Sequence, residues 1–108
     1  MEIEFKRDAS FKGTDLPKGR YYVGLLKETS QLSLTGLGLH FIFPAVRRPL
    51  RKKLKVSEVE LQPGIGSKGW TLYFRSPPHF EYFLVFHLAD PRAQAKRRRQ
   101  KLKTTYKL

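Results

Sequence analysis

Apolar and polar residues alternate along much of the chain, which is the pattern of β-strands that bury one face. The segments that show it are 30–34, 54–61, 70–75 and 80–88, while 20–27 and 37–43 are predicted as strands from their content of β-forming residues. In 70–75 and 80–88 most of the large apolar residues share one phase, and we expect five of them in the core: Trp70, Leu72, Phe74, Leu84 and Phe86. The pattern therefore predicts a mainly β protein, with a hairpin whose turn lies at Thr35-Gly36.

Three stretches depart from this alternation. Residues 1–19 are polar and contain turn-forming residues, so we interpret them as an N-terminal arm with at most one short edge strand near 2–7. Residues 44–53 are interpreted as a loop. Within 54–61 the apolar phase slips between Val56 and Val59, which suggests a bulge in that strand.

The length of 108 residues is typical of a single domain. We expect 20–90 to form the β core and 91–108 to form a basic helix and tail. Asp90-Pro91 suits a helix start, because aspartate caps free amides and proline fits the first turn. The expected fold is a small antiparallel barrel or bent sandwich with a C-terminal helix.

The charge is strongly positive and unevenly placed. The formal net charge is +13, and two blocks without any acid, 47–55 and 92–108, hold most of the cations. Blocks of this kind usually mark an interaction surface or a solvated tail. An anionic partner is therefore expected, either an anionic membrane surface or an acidic protein, with nucleic acid as an alternative.

The candidate anion-binding residues belong to these two blocks. They are Arg47, Arg48, Arg51, Lys52 and Lys53 in the first block, and Lys96, Arg97, Arg98 and Arg99 in the second. Guanidinium groups match phosphate oxygens through forked donors. The other interpretation of both blocks is that their charge serves only solubility.

Catalytic and metal-binding patterns are missing from the sequence. It contains no cysteine, and its histidines, His40, His79 and His87, do not lie at metal-ligand spacings. The glycine-containing turn at 63–66 lacks the Gly-Lys-Ser/Thr ending of a phosphate loop. We therefore expect a non-enzymatic binding module that uses no cofactor and no metal.

The order of elements resembles that of small bacterial pleckstrin-homology-like and GRAM-like domains. The residues that carry the resemblance are Leu34, Thr35, Gly38 and Leu39, then Lys55, Val56, Glu58 and Val59, and finally Asp90-Pro91 before the helix. The resemblance covers about residues 20–102. It implies a barrel or bent sandwich that binds anionic lipid head groups or an acidic protein.

A second segment, 31–39, is similar to the Asp/Asn-x-Ser-x-x-Gly box of PilZ domains. Ser33 and Gly36 match that box, which implies cyclic di-guanosine monophosphate as a ligand. Gln31 stands where the family has Asp or Asn, and the upstream arginine motif is missing. A cyclic dinucleotide is therefore the third choice of ligand.

The N-terminal residues contain no uninterrupted apolar segment of the kind found in signal peptides. No window approaches the roughly 20 apolar residues of a membrane-spanning helix. We expect a cytoplasmic protein, with peripheral association with a membrane left open.

Overall fold

A computed structural model describes residues 1–64 and 69–89, and this part of the chain is built from ten strands. The strands are β1 (Glu2–Phe5), β2 (Ala9–Phe11), β3 (Thr14–Leu16), β4 (Gly19–Leu26), β5 (Gln31–Gly36), β6 (Leu39–Pro44), β7 (Val46–Pro49), β8 (Glu58–Pro63), β9 (Gly69–Ser76) and β10 (Phe80–Leu88). The mainly β prediction is confirmed. Within the described residues, no helix has the length and apolar character needed to cross a membrane.

The strands form two antiparallel sheets. The first has the order β1-β4-β5-β6, and the second has the order β3-β2-β10-β9-β8. Strand β10 organises the second sheet, because it pairs with β9 along one edge and with both β7 and β2 along the other. The chain passes from the first sheet to the second at Ala45, between β6 and β7.

One apolar core lies between the sheets, because alternate residues of the strands point inward. Its fully buried members include Phe5, Leu34, Leu72 and Phe86. The Phe86 ring lies 5.1 Å from that of Phe5 and 5.8 Å from that of Phe43, so aromatic contacts join the two sheets. The described residues do not form a closed barrel, since β1 and β8 approach each other without pairing.

The predicted core is confirmed at four of its five positions. Leu72, Phe74, Leu84 and Phe86 are buried, whereas Trp70 is half-buried near the open side between β1 and β8. The hairpin of β5 and β6 is present, but its turn lies two residues later than predicted, at Leu37-Gly38. Both turn residues have positive φ, 54° and 72°, as a two-residue turn matching the strand twist requires.

The interpretation of residues 1–19 as an arm is incomplete: the expected edge strand is present as β1 (Glu2–Phe5), but two further strands follow it. This stretch contains β1, β2 and β3, and it places Phe5, Ala9 and Leu16 in the core. Strands of three or four residues are too short to show a convincing alternation. They form because each has an edge to pair with: β1 pairs with β4, β2 with β10, and β3 with β2.

The interpretation of 44–53 as a loop is also incomplete, because it contains β7. Strand β8 begins only at Glu58, so residues 54–57 precede it and the slip in apolar phase needs no bulge. The predicted C-terminal helix at 91–108 lies outside the described residues.

Candidate functional site

The first basic block begins in β7, where the strand alternation separates its two arginines. Arg47 lies opposite Tyr82 on β10, and Arg48 lies opposite Glu81. Residues directly opposite each other share one face of a sheet. Since Tyr82 points into the core, Arg47 is on the inner-face side of this edge and Arg48 is on the outer face.

Arg48 is engaged within the protein. Its Nε donates a hydrogen bond of 2.6 Å to Oε1 of Glu81, and its guanidinium carbon lies 4.9 Å from the centroid of the Phe83 ring. Glu81 is only 2% exposed, although it belongs to the outer face. A carboxylate so buried needs a cation, and Arg48 supplies one within the protein. The anion-binding role expected of Arg48 stays a prediction.

A second arginine, Arg75, also bonds to the Glu81 carboxylate. Arg75 Nε donates to Oε2 of Glu81 over 2.8 Å, and Arg75 Nη1 lies 2.9 Å from Oε2 of Glu60. Burial lowers the pKa of Arg75, but the bonds to Glu60 and Glu81 outweigh burial and raise it. Hydrogen bonds from Gln62 and Arg75 lower the pKa of Glu60. The register places Glu58, Arg75, Glu81 and Arg48 in one row of alternating charge.

Arg47 has different surroundings. Its guanidinium carbon lies 4.8 Å from the centroid of the Phe80 ring, and the His79 ring stacks on Phe80 at 4.6 Å. Within the described part of the chain, no carboxylate lies within 4.0 Å of it. Its charge is therefore available to a partner.

The segment after β7, residues 50–54, is hydrogen-bonded to the turn between β9 and β10. The Leu50 N–H donates to the His79 carbonyl over 2.6 Å, and the Leu54 N–H donates to the Pro78 carbonyl over 2.7 Å. Arg51, Lys52 and Lys53 lie between these two anchor points. The backbone that carries these cations is thus held at both ends.

We use the name basic tip for the five exposed cations of this region: Arg47, Arg51, Lys52, Lys53 and Lys55. None of them forms an ion pair with another described residue. Val56 follows directly and is 67% exposed. The basic tip therefore presents five positive charges that have no acidic partner among the described residues, and an exposed apolar side chain, Val56, lies beside it.

The residues of the second basic block, Lys96, Arg97, Arg98 and Arg99, lie outside the described residues. The last described residue, Ala89, donates its N–H to the Asp8 carbonyl at the end of β10. The basic tip adjoins the start of the same strand. At about 3.3 Å per residue, the ends of Phe80–Leu88 are about 26 Å apart.

Sequence reasoning missed Glu81 and Arg75, the two side chains that form a charged cluster with Arg48. One signal was available, since Glu81 is the one acid in an otherwise aromatic and aliphatic strand. Carboxylates in such strands are rarely buried without a partner. What the sequence did not contain was the register that identifies the partner.

The histidines are distributed over separate environments. His40 Nδ1 lies 2.7 Å from the Thr35 hydroxyl, and His79 stacks on Phe80. Residues 1–64 and 69–89 contain no group of three or more His, Asp or Glu side chains arranged to hold a metal ion.

No family model, no curated protein and no solved structure matches this chain. The site is therefore interpreted from its own geometry and charge.

Proposed function

We propose that this protein is a non-enzymatic module that binds an anionic membrane surface through the basic tip. The observation that carries the proposal is the set of five cations without an acidic partner among the described residues, on a segment anchored by Leu50 and Leu54. An anchored segment loses less conformational freedom on binding than a free one.

Phosphate head groups suit this set of side chains. Arg47 and Arg51 offer forked donors, and the three lysines add compact charges. Each cation near an anionic membrane contributes about 1 kcal/mol. The resemblance of the sequence to pleckstrin-homology-like domains points to the same class of partner.

Two features favour a membrane over single-stranded nucleic acid. Val56 is open beside Lys55, and an exposed aliphatic side chain among cations can enter the boundary between head groups and acyl chains. Nucleic-acid binding without sequence preference uses exposed aromatic rings. Among the described phenylalanine, tyrosine and tryptophan rings, Tyr22 is the one that is exposed, and it lies on the first sheet, whereas Phe80 is covered by Arg47 and His79.

The test measures sedimentation with phosphatidylcholine vesicles that contain increasing fractions of phosphatidylserine. Replacing Arg51, Lys52 and Lys53 by alanine removes about 3 kcal/mol of attraction, so binding should fall on the order of 100-fold. The matched control replaces Arg7, Lys18 and Lys27, three exposed cations elsewhere in the chain. It changes the net charge equally and should weaken binding much less.

Equal losses in the two triple variants would show that only net charge matters, and would refute the assignment to the basic tip. Deleting residues 96–108 should weaken binding less than the Arg51, Lys52 and Lys53 substitutions do. Binding to duplex DNA that exceeds vesicle binding, with log affinity falling steeply against log salt, would instead identify a nucleic-acid partner.

A further inference from the structure

The edge of β10 that faces β7 and β2 has a gap in its middle. Strand β7 pairs with β10 as far as Phe83, and β2 pairs with it from His87 onward. Neither strand pairs with residues 84–86. From Phe83 to His87 the gap is about 13 Å long, which is room for three residues of an extended chain.

The main-chain groups of Val85 point into this gap. In an antiparallel strand the N–H and C=O of one residue face the same neighbour, and successive residues alternate between neighbours. The His79 carbonyl and the Ala89 N–H both bond on the β7 and β2 side. Pairing with β9 runs without a bulge from Phe80 to His87, so every odd-numbered residue between them faces that side as well.

Strands β7 and β2 both stop pairing with β10 before they reach Val85. Continued in register, β7 would place Pro44 opposite Val85, but proline has no N–H and it pairs instead with Gln31 in the first sheet. Continued in register, β2 would place Lys12 there, but Lys12 has φ 46° and turns the chain toward β3. Both β2 and β7 therefore turn away, and in the described part of the chain no other strand covers this edge.

An apolar cavity of about 360 Å³ occupies this opening. Its walls include Phe11, Ala45, Val46, Phe83 and Val85. Lys12 and His87 also line it, so its polar side chains are basic or neutral. A volume near 300 Å³ is the lower end of the range for ligand pockets.

We propose that this gap binds a short extended peptide segment, with a large apolar side chain in the cavity and an acidic residue next to it. A peptide residue supplies one N–H and one C=O on the same side, which matches the two main-chain groups of Val85 that have no partner within residues 1–64 and 69–89. An acyl chain offers neither. The carboxylate of the adjacent residue is complementary to the Lys12 ammonium. This site is separate from the basic tip and does not depend on the function proposed for it.

The probe is an acetylated tripeptide amide with a central leucine between two glutamates. Its titration into the full-length, ¹⁵N-labelled protein should give saturable amide shifts at Phe83, Val85 and His87. N-methylation of the leucine removes the donor for the Val85 carbonyl and should weaken binding about tenfold. Replacing the leucine by alanine should also weaken it, because the cavity then stays unfilled.

Val46→Glu places a carboxylate in the apolar wall and should abolish the shifts. Val56→Glu is the matched control, because it makes the same change at an exposed valine outside the cavity and should leave binding intact. Lys12→Gln removes the positive charge beside the cavity without changing β2 or β10, and tests whether that charge contributes to binding of the peptide. Shifts confined to residues 51–55, shifts that do not saturate, or equal binding of the N-methylated peptide would each overturn the proposal.

Discussion

Two neighbouring arginines of β7 should respond in opposite ways to the same substitution. Arg48→Ala should destabilise the protein and leave vesicle binding almost unchanged. Arg47→Ala should weaken vesicle binding and change stability little. The two variants remove the same side chain and the same charge, so each is the control for the other.

The magnitudes follow from the contacts of each guanidinium. Arg48 donates a charge-assisted bond to Glu81, and such bonds contribute about 1.5–3 kcal/mol. Breaking a fully buried pair costs about 3–5 kcal/mol. Arg48 is 54% exposed and Glu81 keeps Arg75, so water and Arg75 offset part of the loss. We expect a loss of about 2 kcal/mol for Arg48→Ala.

Arg47 is exposed and contacts the face of Phe80. A contact of this kind at an open site contributes about 0.5–1 kcal/mol, which is the expected cost of Arg47→Ala. Its loss from the basic tip removes about 1 kcal/mol of attraction to an anionic vesicle, or about fivefold in affinity.

Urea unfolding followed by the fluorescence of Trp70, the single tryptophan, measures both variants. Glu81→Gln should cost less stability in the Arg48→Ala background than in the natural protein, because the bond between Arg48 and Glu81 is already absent there. Equal stability losses for the two arginines, or a loss below about 0.5 kcal/mol for Arg48→Ala, would refute the reasoning from the register.

Three further substitutions test the core and its tyrosines. Phe86→Ala should lower the free energy of unfolding by about 3–5 kcal/mol in urea titration, because the ring is fully buried between the sheets. Tyr82→Phe should leave the melting temperature unchanged or raise it, since the buried Tyr82 hydroxyl has no partner among the described residues. A marked fall would reveal a partner for that hydroxyl. Tyr21→Phe should cost about 1 kcal/mol, because the Tyr21 hydroxyl donates to the Pro17 carbonyl over 2.6 Å. Burial, and then the Asp8 carboxylate, raise the pKa of Tyr21 above 10.0. The natural protein should therefore lose stability as the pH rises beyond that value. In unfolding titrations at alkaline pH, the difference in stability between the natural protein and Tyr21→Phe should become smaller. A constant difference between the two proteins across that range would contradict this assignment.

The long strands were predictable from the sequence because their information is local. In β9 and β10, a period of two over eight or nine residues separates an apolar face from a mixed one, whatever the partner strand is. Four of the five predicted core residues of these strands are accordingly buried. The exception, Trp70, lies beside the opening between β1 and β8, and the sequence does not show where a sandwich stays open.

The short strands and their partners were decided by the tertiary structure. Strands β1, β2, β3 and β7 have only three or four residues each. They exist because β4 provides an edge for β1, β10 provides one for β2 and β7, and β2 in turn pairs with β3. An isolated segment of this length has too few hydrogen bonds to offset the entropy of ordering it. Its conformation therefore depends on residues far away in the chain.

The charge of the first basic block was a property of the sequence alone, and so was the expectation of an anionic partner. Which cations lack an acidic partner among the described residues was decided by the pairing of β7 with β10. A shift of one residue in that register would exchange the faces of Arg47 and Arg48, and would offer the other guanidinium to Glu81. Register depends on long-range pairing and on the burial of one face, and neither is contained in a local run of arginines and lysines.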